Sequence, residues 1–256
     1  MAEPRVIPML TLRGEGLYRT VAFKKPVYVG DPINAVKLFN DKEVDELIVT
    51  DISRAPRGSE LQYALLEDLA TEAFMPMAYA GRLDSIDQAE RLFRLGYEKV
   101  VMNTATVTNF DLIGQISNRF GAQSCVVSID VGKPLFGKRQ VMIDCGRRRT
   151  GLDPIEHVLR CQEAGAGELL LRSIPSDGTM AGYDLELIAA AAAVVNVPLV
   201  AVGGAGTLDH LAAALRAGAH SVAAGSMFVF QGKHRGVLIN YPQREQIDTL
   251  LQMEVE

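Results

Sequence analysis

The chain has 256 residues, 48% of them hydrophobic, and a formal net charge of −5. That length and apolar content suit a single α/β domain with a large core, and the acidic balance disfavours a general nucleic-acid or membrane-surface role. Cys125, Cys145 and Cys161 have no metal-like spacing and suit a reducing compartment without a disulfide framework. The opening MAEPRVIPML does not read as a signal peptide, and no apolar run approaches a membrane span, so the expected location is cytoplasmic.

Taken in order, Val6 to Leu12 reads as the first strand, followed by a polar loop from Gly14 to Gly30. Asp31 is placed to cap a helix that starts at Pro32. Val44 to Ile52 is the second strand, 53–59 a loop and Glu60 to Phe74 a helix. Met75 to Ala80 forms the third strand, then Gly81-Arg82-Leu83-Asp84-Ser85 leads into a helix ending at Leu95. Lys99 to Asn103 is the fourth strand, with a helix from Asn109 to Phe120, and Cys125 to Val131 the fifth. Lys133 to Thr150 is a basic excursion, a hairpin or lid. A helix from Pro154 to Ala164 precedes the sixth strand, Glu168 to Ser173, and a helix from Asp184 to Val194 follows the loop Ser176 to Thr179. Pro198 to Val202 and His220 to Ala224 are the seventh and eighth strands. Gln231 to Tyr241 reads as loop and Gln243 to Met253 as a closing helix. Alternating strand and helix, with short apolar strands, predicts parallel pairing.

The stretch from Pro198 to Ser226 carries the strongest local signal. A buried strand runs into Gly203, Gly204 and Gly206, Thr207 caps an apolar-striped helix, and a second strand ends at Gly225-Ser226. Glycines allow close backbone approach and free amides attract anions, so this pair of turns reads as a phosphate grip after the last two strands of a (β/α)8 TIM barrel. The second half of the chain also lies on the first at a displacement of about 122 residues. Gly81 then meets Gly203, Pro76 meets Pro198, and Asn103-Thr104 meets Gly225-Ser226. The expectation is one domain over 1–256, built from half barrels of about 1–122 and 123–256. It has two anion sites across one mouth, suited to a substrate with a phosphate at each end.

Several pieces resemble the cyclase-subunit family of imidazole glycerol phosphate synthase: Arg5-Val6-Ile7-Pro8, Asp45-Glu46-Leu47, Lys99 through Asn103, Asp177-Gly178-Thr179, Gly182 through Leu187, and Gly203-Gly204-Ala205-Gly206. The resemblance implies a barrel that partners a glutaminase as a heterodimer and takes ammonia along its axis. At the mouth, that ammonia cleaves a bisphosphorylated ribulosyl intermediate and closes an imidazole ring. It implies two catalytic aspartates, ending the first and fifth strands. Asp130 matches the second, but Thr11 stands at the first, and threonine does not ionise near neutral pH. The phosphate contacts expected are Gly203, Gly204, Gly206, Gly225 and Ser226 from the local reading, Asn103 and Thr104 from the internal repeat, and Asp177, Gly178 and Thr179 among the pieces that carry the resemblance. At the opposite end it implies an ammonia gate of Arg5, Glu46, Lys99 and Glu168, with Glu98 at the partner's rim.

Strand parity supports the gate residues independently. Arg5 and Thr11, Glu46 and Thr50, Lys99 and Asn103, and Glu168 and Arg172 are each an even number of residues apart, so the two ends of each pair share a face. A purely structural ion-pair ring closing the barrel floor fits the same spacing. Asp51 is read either as a substrate contact or as a carboxylate capping its turn, and Arg147 to Arg149 as a solvated charge run. His157, His210, His220 and His234 have no ligand spacing, so neither a metal nor a cofactor is expected.

An altered mouth above a retained floor resembles a paralogous branch of that family, the glycosyl-amidation-associated proteins of surface-polysaccharide clusters. The stretches Tyr28 through Val36, Met227 through Gly232 and Leu238 through Pro242 carry that likeness. It implies ammonia passed to a nucleotide-sugar amidotransferase, with little ring-forming chemistry. The alternatives are a true cyclase-lyase of histidine biosynthesis using Asp130 with Asp51, and a phosphosugar isomerase.

Overall fold

The computed structural model describes residues 3–53, 59–133, 137–232 and 234–252. Eight parallel strands form its centre: β1 (Val6–Arg13), β2 (Leu47–Asp51), β3 (Met77–Ala80), β4 (Lys99–Met102), β5 (Cys125–Gly132), β6 (Glu168–Ser173), β7 (Leu199–Val202) and β8 (Ser221–Ala224). Each pairs with its chain neighbours. Val6↔Val222 joins β1 to β8 and Glu168↔Val126 joins β6 to β5, so the sheet closes on itself. Helices lie between successive strands, which makes the molecule a (β/α)8 barrel.

Closure follows from the sequence. These strands are short apolar runs buried on both faces, and only a sheet covered inside and out accommodates them. Inside lie Ile7, Met9, Ile48, Ala78, Ala80, Val101, Val126, Leu170, Val200, Val202 and Ala223. The alternate residues, Leu47 and Tyr79 among them, pack outward against the helices with Phe39, Leu69 and Leu92. Truncating such a fully buried leucine to alanine costs about 2–5 kcal/mol. Helix starts match their side-chain caps: Asp31 accepts from Asn34 N, Ser85 from Gln88 N and Thr207 from His210 N.

Departures from expectation cluster at the mouth. The segment read as a polar loop is an antiparallel hairpin, Gly16–Val21 against Lys24–Gly30, with Tyr18 edge-on to Tyr28. Its turn uses left-handed Ala22 (φ 48°) and Phe23 (φ 60°) rather than the usual Asn-Gly. The excursion after β5, by contrast, contains the hairpin that is one of its two expected forms, Gln140–Ile143 with Arg148–Arg149. The helix expected from Asn109 starts at Leu112, preceded by a short turn of helix at Ala105–Thr108. The one expected from Glu60 spans Tyr63–Glu72. Phe230–Gln231 and Gly236–Val237 pair within the segment read as loop, and the closing helix is Arg244–Gln252. Parts of four expectations, at 54–58, 134–136, 233 and 253, lie outside the described residues.

Candidate functional site

At the floor, where the strands begin, four charged side chains meet. The Arg5 guanidinium donates to both Glu46 and Glu168. Lys99 Nζ lies 2.9 Å and 3.1 Å from the Glu46 oxygens and 2.6 Å from Glu168 Oε2. Positive and negative groups therefore alternate around the axis in a closed cycle, each touching two partners. All four side chains are at most 15% exposed. Burial pushes the Glu46 carboxyl up, against the opposing pull of Lys99 and Arg5. Glu98 is exposed beside Lys99, its amide fixed to Met77 O at 2.9 Å.

At the mouth, the strands' other ends bring a different set together. Asp130, 6% exposed at the end of β5, pairs in register with Arg172 on β6. Arg172 Nε lies 3.8 Å from Asp130 Oδ1, and Ser128 Oγ donates to the same oxygen at 3.3 Å. Burial raises the Asp130 carboxyl above the usual range, while Arg172 pulls it down. Thr11 Oγ1 accepts from Arg19 Nη1 at 3.1 Å, and Met9 O accepts from the same nitrogen. Asp51 is used structurally: Oδ1 accepts from Ser53 N at 2.7 Å and Oδ2 pairs with Arg82 at 3.0 Å. Both expected carboxylates thus face an arginine of this chain.

The glycine turns after β7 and β8 come together, with Gly203, Gly204, Gly225 and Ser226 beside Asp177 and Gly178. Gly203 (φ 92°) and Gly204 (φ 117°) take left-handed backbone. A Cβ on Gly204 would fall 2.0 Å from Gly182 O, so only glycine fits there. The cradle is nearly full. Its cavity measures about 10 Å³, room for about one water, because the Arg19 guanidinium lies against Gly225, 2.0–2.2 Å from where a Cβ would stand. Burial lowers the Arg19 pKa, with Asp177 opposing that shift and Arg172 reinforcing it.

Other expected phosphate contacts lie elsewhere or are engaged. Gly206 packs on Met180, and Thr179 Oγ1 donates to Ser176 O at 2.7 Å. Asn103 Nδ2 donates to Ser128 O and Met142 O, and Thr104 Oγ1 accepts from Asp144 N at 3.0 Å, so this half of the mouth anchors the excursion hairpin. Arg148 and Arg149 are exposed on that hairpin, and Arg147 Nε donates to Asp144 O at 2.8 Å. Sequence reasoning missed Arg19 and Phe23. Their signal was the alternation of Leu17 and Arg19, both buried on one face of the hairpin strand.

Among the described residues, no group of three His, Cys, Asp or Glu is placed to hold a metal ion, and no helix is long and apolar enough to cross a membrane.

Comparison with known proteins agrees with this geometry. A family model described as histidine biosynthesis protein matches residues 5–235. A Pseudomonas aeruginosa protein provisionally named imidazole glycerol phosphate synthase subunit hisF2 is 46% identical over 97% of this chain and 99% of its own length. A Vibrio vulnificus protein provisionally named subunit hisF3 is also 46% identical, over 94% of each chain. The imidazole glycerol phosphate synthase subunit HisF of Streptomyces avermitilis is 40% identical over 88% of this chain and 90% of its own. The chain belongs to the histidine biosynthesis protein family and is, within it, a barrel like the HisF subunits of imidazole glycerol phosphate synthase.

Proposed function

We propose that this barrel pairs with a glutaminase and conducts ammonia along its axis, with cyclase chemistry curtailed at the mouth. The observation that carries the reading is the contrast between ends. The floor keeps a balanced ring of Arg5, Glu46, Lys99 and Glu168. At the mouth Thr11 stands where the family resemblance implies an acid, and Arg172 and Arg82 face Asp130 and Asp51.

The proposed passage is short and apolar. Ammonia released below the floor passes the ring as a neutral molecule when one ion pair opens transiently. It then meets a column of Ile7, Ile48, Ala78, Val101, Val126, Leu170, Val200 and Ala223. Such a lining disfavours the ammonium ion, which would lose hydration there. Glu98, exposed at the rim, is the proposed contact for the glutaminase.

Phosphate or a phosphorylated molecule is the proposed ligand of the cradle. The proposed ammonia acceptor is a nucleotide-sugar amidotransferase of surface-polysaccharide synthesis. The likeness of the stretches from Tyr28 and Met227 supports this branch, as do relatives carrying subunit numbers two and three. The same reading takes the barrel as two half-barrel copies, about 1–122 and 123–256.

A cyclase using Asp51 as its second acid or base is less well supported, because Ser53 N and Arg82 already engage that carboxylate. The purified chain supplied with ammonium salts should turn over the histidine-pathway intermediate at least about a hundredfold slower than a relative with aspartate at the Thr11 position. Turnover within tenfold of that relative overturns the curtailed-chemistry reading.

A further inference from the structure

The Arg172 side chain spans the top of the axial column. It leaves β6 and reaches Met9 on β1, with Nη2 2.9 Å from the Met9 sulfur. The closed sheet places β7 and β8 between those two strands, so the side chain crosses the mouth rather than bridging neighbours. Met9 itself belongs to the apolar column. Phe23, at the turn of the first hairpin, sits over the guanidinium at 5.6 Å.

Each contact that holds Arg172 is weak. A thioether sulfur is a poor acceptor. The Asp130 oxygen stands 3.8 Å away, and among the described residues Arg172 Nε has no hydrogen-bond partner although the residue is only 9% exposed. Arg19, the second buried guanidinium here, also has an unpartnered Nε, and the two cations oppose each other electrostatically. At the floor, by contrast, Arg5 and Lys99 each touch two carboxylates. A buried cation with so few partners is unfavourable, and charged oxygen acceptors bind guanidinium far better than sulfur does.

The cradle adjoins this side chain. The Arg172 Cγ lies 3.5 Å from where a Cβ on Gly203 would stand. With a cavity of about 10 Å³, no phosphoryl group enters until the Arg19 guanidinium, which lies against Gly225, moves. Arg172 borders the same cradle through its stem at Gly203, within reach of an anion seated there.

We propose that Arg172 is an upper gate. At rest it closes the column over Met9, and a phosphoryl-type dianion seated on the Gly203–Gly225 cradle draws its guanidinium aside and opens the passage. The gating role rests on the conduit reading above; the anion-drawn movement does not. The device would hold ammonia back until an anionic acceptor or effector is in place.

The movement is tested on the full chain, labelled with 15N-arginine and 15N-glycine and titrated with inorganic phosphate. The Arg172 Nε–H signal, assigned by its loss in Arg172→Lys, should shift with the same midpoint as the amides of Gly203 and Gly225. Glycine amides that titrate while Arg172 stays still overturn the proposal, as does a mouth where nothing titrates.

The gate is tested with a glutaminase bound, by the fraction of glutamine-derived ammonia released without phosphate. That fraction should rise severalfold in the double variant Arg172→Met, Asp130→Asn, which leaves no lone buried carboxylate, and should lose its phosphate dependence. Arg172→Lys, with shorter reach and retained charge, should leak in the same direction and serves if the double variant does not fold. A fraction equal to that of the unmodified chain overturns the gate. If no glutaminase binds, the conduit and its gate both fall, and the phosphate titration alone decides the movement.

Discussion

The floor and mouth of this barrel are built from the same eight strands, yet they treat charge in opposite ways. At the floor, two cations and two anions satisfy one another in a cycle that leaves no net charge. At the mouth, Arg19, Arg82 and Arg172 crowd a space with three buried aspartates, Asp51, Asp130 and Asp177; among the described residues the Nε–H of each of these arginines has no hydrogen-bond partner, as is also true of Arg5 at the floor. In the ring each charge has two opposite partners, so removing one leaves a buried charge uncompensated. In the mouth cluster the cation–carboxylate contacts are fewer, with Arg172 no nearer than 3.8 Å to Asp130. One set of strands can thus carry two electrostatically different ends, because an apolar column lies between them.

The largest expected effect comes from breaking the floor. Lys99→Ala leaves Glu46 and Glu168 facing Arg5 alone, and urea denaturation should show a loss of about 3–5 kcal/mol. A loss below about 1 kcal/mol, the range of exposed pairs, would mean the ring is solvated and the contrast between ends is false.

A control away from both ends concerns His157, which is 2% exposed, with Nε2 3.0 Å from Thr106 Oγ1. Burial lowers its pKa to about 4, with Arg160 contributing. Because the folded value is depressed below the unfolded one of about 6.5, the folded chain resists protonation. Stability present above pH 6.5 should be lost as pH falls toward 4, by on the order of 3 kcal/mol. His157→Gln should remove that part of the slope, and an unchanged pH profile would contradict it.

Smaller effects sharpen the picture of the mouth. A crystal soaked in phosphate should hold an anion at the β7–β8 cradle and less or none at the opposite half. There Gly81 packs against Asp51, and Arg82 with Asp51 forms an ion pair. Equal occupancy contradicts this. Thr11→Asp should raise cyclase turnover less than about tenfold, because the new carboxylate would meet Arg19 Nη1, which now donates to Thr11. Full recovery would show that Thr11 alone limits the chemistry.

Much of this was legible in the sequence where local rules and global closure agree. Asp31, Ser85 and Thr207 precede their helices and cap them, and the inward parity of Glu168, Leu170 and Arg172 follows from strand alternation alone. The first hairpin was not legible because its turn, Ala22-Phe23, carries no glycine or asparagine, and Gly14-Glu15-Gly16 before it reads as loop. Arg19 was missed for the same reason. Its burial depends on the hairpin folding back over the mouth, where Ala22 N bonds to Asp177 O at 2.8 Å. Around Asn103 and Thr104, which repeat symmetry sets opposite Gly225 and Ser226, the sequence did not show that their side chains also bond to the excursion hairpin.

The most direct test supplies the barrel, its glutaminase, glutamine and the phosphorylated ribulosyl intermediate together, and measures glutamate formed against imidazole product formed. A conducting barrel with curtailed chemistry predicts abundant glutamate with product at most about one-hundredth of it. One product per glutamate would contradict the account and make this chain a working cyclase.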